Sequence, residues 1–361
     1  MHAPTVAEVS LGALTRNVEV LRRAANGRPL MAVVKADAYG HGAVPVSRRL
    51  VELGVDRLAV ATLPEALELR KAGVGARILV FGAPLPQDLP AFCDADVEVT
   101  VSSEPLLEAV LRTEMPLKAH LKVDTGMTRL GLASGEAARA LHRLGRSRHV
   151  ALEGVCTHFA ASDAPGDPAT QAQLDRWQSF LDAAGPLPCP THLAASGGVL
   201  SSPQVLEASD IIRPGIALYG LYETASSLTE ALEPVMCLRS RVARVVHVPR
   251  GTPVSYGGRW TAPADTRIAT VAAGYADGLP RRTGGQAEVL VAGKRAPVVG
   301  TVCMDMCMVH LPDRDHAVEV GDPVVLFGGT GPSCGEWAAW AETITYEIVC
   351  GVSRRVPRSY V

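Results

Sequence analysis

The sequence predicts an α/β protein: a (β/α)8 TIM barrel over residues 1–232, followed by a mainly β domain over residues 233–361. Three observations predict it. Short β-branched runs alternate with longer stretches of helical periodicity up to about residue 220, the pattern of parallel β/α units. Eight such runs occur, the number that closes a barrel. After residue 232 the helical periodicity gives way to strand-like runs punctuated by Gly and Pro.

Taken in order, a helix over 11–27 (LGALTRNVEVLRRAANG) precedes the first strand. The eight strands are expected at 30–34, 57–61, 77–81, 97–101, 117–123, 151–156, 191–195 and 210–213. Between them PEALELRKAG (64–73) reads as a helix, with Pro64 and Glu65 at its start and Gly73 at its end. SEPLLEAVLRT (103–113) and GDPATQAQLDRWQSFLDAAG (166–185) read the same way. The second domain is expected to be all-β, built from RVARVVHV, TRIATVAA, AEVLVAG, APVVGTVCMD and PVVLFGG. No fixed-period repeat or low-complexity linker separates the halves, so they are expected to pack closely.

Composition excludes several functions. Hydrophobic residues make up 47% and charged residues 20%, the balance of a globular chain with a large core. A formal charge of −2, from 35 Lys+Arg against 37 Asp+Glu, leaves no basic field for nucleic acid. The opening MHAPTVAEVS lacks a charged start followed by an apolar run, and no stretch approaches the roughly 20 apolar residues of a membrane helix. A cytoplasmic protein with no membrane partner is expected. The eight cysteines are expected to be reduced thiols. The closest pair, Cys303 and Cys307 in CMDMC, has no second pair at zinc spacing, so no metal site is expected.

In a barrel of this kind the chemistry sits where strands end. Lys35 follows the first strand directly, in AVVKADAYGHG. Asp124 and Arg129 follow the fifth in KVDTGMTRLG, His158 the sixth, Ser196 the seventh, and Arg213 ends the eighth in IIRPGIALYG. Each has a plain alternative: Lys35 a solvated charge, His158 a satisfied core histidine, Ser196 a helix cap, Arg213 half of a structural ion pair. Together they set a Lys, a His, two Arg and a Ser around one mouth, which packing does not explain. The Gly after the last strand lets backbone N–H groups approach an anion where barrels often bind phosphate. A lysine able to form a Schiff base, a phosphate seat and an arginine point to pyridoxal phosphate.

The segments AVVKADAYGHG, KVDTGMTRLG, THFA, RPGIALYGL, VSYGGRW, GYADG, GTVCMDM and TITYEI resemble, in order, the motifs of alanine racemases. The likeness runs from residue 32 to residue 348. It implies pyridoxal 5'-phosphate bound covalently to Lys35, which also serves as base for the D-enantiomer, and Tyr256 as base for the L-enantiomer on the opposite face. Arg213 would face the pyridine nitrogen, His158 would pack at the ring and Tyr39 would lie beside it. Ser196, Gly215, Ile216 and Tyr346 would hold the phosphate. Arg129, the backbone N–H of Met304 and Tyr275 would meet the substrate or line its entrance; without the likeness, Met304 reads as a core methionine and Tyr275 as a strand tyrosine. A homodimer is implied, with Tyr256 entering the partner's barrel mouth, and a role in supplying D-alanine for peptidoglycan.

Two positions depart from the family pattern. Thr128 stands where Gly is general, and Ala195 stands before Ser196 where Asn is usual. Lys122 matches a lysine that the family can carbamylate and bridge toward the arginine at position 129. The competing readings are a racemase for serine or several small amino acids, a barrel pyridoxal-phosphate decarboxylase, and a non-enzymatic pyridoxal-phosphate carrier. The carrier gives no reason for the β domain or for Tyr256.

Overall fold

The computed structural model describes residues 3–222, 231–313 and 317–361. Seven parallel strands lie side by side in chain order: Met31–Val33, Arg57–Val60, Arg77–Val80, Glu98–Val101, Leu117–Asp124, Val150–Cys156 and Thr191–His192. The run at 210–213 closes the ring as an irregular eighth stave. Met31 donates its N–H to the Ile212 carbonyl at 2.8 Å on one side, and Arg213 donates to the Ala194 carbonyl at 2.7 Å on the other. Pro214 follows at once; it has no N–H to donate, but its carbonyl still accepts the Val33 N–H at 3.0 Å.

The helices begin where the sequence supplies caps. Ser10 accepts the Ala13 N–H to start Leu11–Ala24. Thr62 and Glu65 form a capping box at Leu63–Lys71, and Asp167 caps Pro168–Ala184. Glu104–Arg112 forms as expected, with Pro105 in its first turn.

In the second domain six strands pair antiparallel around a closed ring: Met236–Val248, Thr266–Val271, Cys307–Leu311, Lys294–Val299, Glu288–Val291 and Pro323–Phe327, which returns to Met236–Val248. The run APVVGTVCMD is not strand throughout. It stops at Val299, because Gly300 turns the chain with φ +69°, and Gly300 to Met306 form a loop. The domain is also not all-β: Cys334–Trp340 and Thr345–Cys350 are short helices, the first behind a Ser333–Glu336 capping box. The chain's two ends join this domain's sheet. Val6–Val9 pairs antiparallel with Met236–Val248 and parallel with Arg358–Tyr360, so the first strand of the chain lies outside the barrel.

Candidate active site

The mouth begins with a strained turn. Ala36, Asp37, Ala38 and Tyr39 all have φ between +52° and +54°, one turn of left-handed helix in four residues with side chains. Such a turn costs about 1–2 kcal/mol per residue, so its surroundings must over-determine it. Glu65 accepts the Ala36 and Ala61 N–H groups, each at 2.7 Å, and Asp37 accepts the Ala43 N–H at 2.7 Å. The buried His41 lies with Nδ1 at 2.9 Å from the carbonyls of both Ala38 and Tyr39, and its ring stacks on Tyr219 at 4.4 Å. Arg358, from the last strand, donates to the Gly40 carbonyl at 3.0 Å.

The turn sets Lys35 and Tyr39 together. The Lys35 ammonium stands 5.9 Å from the Tyr39 ring centroid. Burial lowers its pKa, and the Arg129 cation lowers it further. The Tyr39 ring lies 6.1 Å from that of Tyr346, and a methyl group at Gly215 would strike the Tyr39 hydroxyl. Position 215 therefore admits only glycine beside Tyr39. Ser196 Oγ accepts the Gly215 N–H at 3.0 Å and the Ala217 N–H at 3.3 Å. Its own hydroxyl proton can then be donated to an anion. Ile216 is buried in the Ile216–Tyr219 turn that carries these groups.

Arg213, 4% exposed, is held from several sides. It donates to the carbonyls of Thr157 at 2.8 Å, Leu193 at 3.3 Å and His192, and toward His192 Nδ1 at 3.1 Å and His158 Nδ1 at 3.4 Å. It also lies over the Phe81 ring at 5.7 Å. His158 is held well below its ordinary pKa by burial first, and then by Arg213, Lys122, Arg129 and Lys35. Two arginines and two lysines around this imidazole make a basic site suited to anions. Lys122, Asp124, Arg129, Thr157 and His158 share a small crevice beside it.

The structure thus brings Lys35, Tyr39, His158, Ser196, Arg213, Gly215, Ile216 and Tyr346 to one mouth. It does not bring Tyr256, Tyr275 or Met304 there within the same chain. Tyr256 is 70% exposed on a loop of the β domain, anchored by Thr301, whose hydroxyl donates to the Tyr256 carbonyl at 3.0 Å. Met304 and Tyr275 are 53% and 41% exposed and share another loop pair, in which Tyr275 donates to the Cys303 carbonyl at 2.9 Å. Among the described residues no hydrogen bond, ion pair or ring contact links Tyr256, Tyr275 or Met304 to Lys35.

Sequence reasoning missed Glu65, His41, Phe81 and the Ala217 N–H. Only Glu65 carried a signal, the Thr62-x-x-Glu65 cap. Thr128 keeps the glycine-like conformation, with φ +58°, and its N–H bonds Asp124 Oδ1 at 3.1 Å. Ala195 is bridged to Arg213 by its backbone, so its missing side chain does not disturb the ring of strands. A cleft of about 630 Å³ between His247, Asp265, Arg267 and Leu311 lies on the β domain and contains none of these residues. Among the described residues no helix is long and apolar enough to cross a membrane, and no cluster of His, Cys, Asp or Glu fits a metal.

Residues 9–223 match the family model of the alanine racemase N-terminal domain, and residues 235–360 that of the C-terminal domain. The chain belongs to the alanine racemase family. It is 44% identical to an alanine racemase of Symbiobacterium thermophilum, over 99% of this chain and 97% of that one. A relative of the same name from Desulforamulus reducens is 40% identical over the whole of both chains. Among solved structures, the alanine racemase of Streptomyces lavendulae superposes with a TM-score of 0.91 at 37% identity, covering 100% of this chain and 98% of that one. The biosynthetic alanine racemase of Pseudomonas aeruginosa superposes with 0.92 at 36% identity, covering all of both. An alanine racemase is an isomerase, so the decarboxylase and carrier readings fall away.

Proposed function

We propose that this chain interconverts L-alanine and D-alanine with pyridoxal 5'-phosphate, using Lys35 and Tyr256 as opposed bases in a homodimer. The observation that carries the reading is the single barrel mouth that joins a desolvated Lys35, a buried Arg213 and the Ser196–Gly215–Ala217 cradle.

The residues fit the cofactor. The cradle offers a phosphate the Ser196 hydroxyl proton, its oxygen being held by the Gly215 and Ala217 N–H groups. Tyr346 and the turn at Ile216 would flank it. The mouth's excess of cations suits a phosphate and a substrate carboxylate together. Bound there, the cofactor supplies an electron sink for charge developing at the substrate Cα.

The chain's own residues do the rest. Arg213, a donor without an acceptor, would face the ring nitrogen and leave it largely unprotonated, which keeps the sink weak and favours prompt reprotonation. His158 would pack at the ring and Tyr39 beside it. Lys35, its ammonium destabilised by burial, can hold or release a proton on one face of Cα. Inversion needs a second base on the other face. Tyr256 is exposed on its own chain and suits that place in a partner's mouth, with Arg129 near the substrate carboxylate, the Met304 N–H meeting that carboxylate and Tyr275 narrowing the entrance. The narrow entrance restricts substrates to alanine and its small neighbours, serine included. A cytoplasmic supply of D-alanine for peptidoglycan is the role we assign.

Borohydride reduction followed by peptide mass spectrometry is expected to label Lys35, and the untreated protein is expected to racemise alanine. A label on another lysine overturns the cofactor assignment. Mixed dimers of Lys35→Ala and Tyr256→Phe chains are expected to regain activity that neither variant has alone, since one site per dimer is then intact; no regain overturns the shared site. Lys122, its ammonium destabilised by burial and then by Arg213 and Arg129 so that the neutral amine is favoured, is the position where we propose carbamylation. A high-resolution density map with a plain ammonium at Lys122 removes that proposal.

A further inference from the structure

The floor of a barrel is ordinarily filled by branched apolar side chains. Here a buried polar file crosses it and ends on Arg213. Arg77 opens its strand and donates to both Glu98 Oε1 at 2.5 Å and Glu153 at 2.6 Å. Glu98 Oε2 lies 2.7 Å from His120 Nε2, His120 Nδ1 lies 2.9 Å from His192 Nε2, and His192 Nδ1 lies 3.1 Å from the Arg213 guanidinium. Glu98 is 2% exposed, and both histidines are wholly buried. The two imidazoles meet edge to face, with centroids 5.0 Å apart at 75°. Gly154 makes room for them, since a Cβ there would come within 2.5 Å of His120 Nδ1.

The donors fix the direction of every bond in the file. Arg213 has protons and no acceptor, so His192 Nδ1 must accept, and its proton sits on Nε2. That proton is donated to His120 Nδ1. The remaining His120 proton, on Nε2, is donated to Glu98. Protonating either ring a second time would set two donors against each other. Charge also alternates along the file: Glu153 negative, Arg77 positive, Glu98 negative, two neutral rings, Arg213 positive. Arg213 needs that arrangement, because among the described residues none of its contacts is a carboxylate and an uncompensated buried cation is costly.

We propose that Glu98, acting through His120 and His192, is a positioning residue for Arg213: it fixes the direction of the guanidinium at the mouth and supplies its buried countercharge. The hydrogen-bond chain stands on its own geometry; its consequence for the cofactor rests on the functional reading given above.

Nitrogen NMR of the 15N-histidine-labelled protein is expected to find His120 and His192 as neutral Nε2–H tautomers at pH 7. Either ring found as the Nδ1–H tautomer, or as a cation, overturns the proposal. In the holoenzyme, Glu98→Gln keeps the shape and removes the charge. It is expected to weaken pyridoxal phosphate binding about tenfold, by analogy with the loss of outer partners at other sites, and to shift the absorbance of the bound cofactor and the pH at which that absorbance titrates. A variant that melts earlier but keeps the parent's cofactor affinity and spectrum shows a purely structural file and overturns the proposal. If Glu98→Gln does not fold, the tautomers alone decide. If the parent takes up no cofactor at Lys35, the functional reading fails while the tautomers still test the file.

Discussion

At the barrel mouth Arg213 is locked by carbonyls and imidazoles, and the turn behind Lys35 is clamped by Glu65, His41 and Arg358. On the β domain Tyr256, Met304 and Tyr275 project from loops whose backbones are anchored but whose side chains meet solvent. The first region is pre-organised by its own chain. The second presents its groups outward, as a surface does that is completed by another copy. Exposed aromatic and methionine side chains rimmed by polar loops are a common mark of an interface.

Lys35→Ala would remove both the proposed cofactor anchor and one proposed base, and racemisation is expected to fall by about 10⁴-fold or more. Chiral chromatography reads it, and a variant above one hundredth of the parent rate would place the chemistry elsewhere. Tyr256→Phe is expected to cost about 10²–10⁴-fold in racemisation. Because Lys35 is intact in that variant, solvent exchange of the D-alanine Cα proton should outlast that of L-alanine. Equal loss for both enantiomers would contradict the division of labour.

Acid should attack the barrel side first. Burial holds His41 neutral in the fold, with its pKa lowered to about 4 from 6.5, so between those values only the unfolded chain gains a proton. Stability is therefore full above pH 6.5 and falls as pH drops toward 4, by about 3 kcal/mol for this residue. Glu98 has its carboxyl lowered to about 2 by His120 and Arg77 against its burial, so its contribution holds above 4.5 and is lost as pH falls toward 2. Urea midpoints against pH check both, and His41→Phe should flatten the upper window by one proton. An unchanged slope in that variant would mean that His41 does not titrate as described. The smallest effect is at Thr128, where a β-branched residue holds φ +58°. Thr128→Gly is expected to stabilise by about 1 kcal/mol, read as a higher urea midpoint; a lower midpoint would mean that the Thr side chain gains more than its backbone loses.

The strands and helices of the barrel were legible because their signals are local: β-branched runs, Pro64 and Glu65 at a helix start, and Gly73 at its end. The residues gathered at the mouth were legible because barrels put polar groups at strand ends. Val6–Val9 gave no such signal, since four residues carry too little periodicity to say which sheet they join. The short helices Cys334–Trp340 and Thr345–Cys350 were too brief to stand out from strand-like surroundings, although Ser333 and Glu336 already spelled a cap.

From sequence alone came the class of fold and the residues Lys35 and Arg213 at the ends of strands. Tertiary structure alone decided that four residues after Lys35 wind left-handed, that Thr128 keeps a glycine's conformation, and that Glu98, 115 positions before Arg213, reaches it through two imidazoles. The reason is range: periodicity and capping act within a few residues, whereas a clamped turn or a buried hydrogen-bond file exists only once distant strands have closed around it.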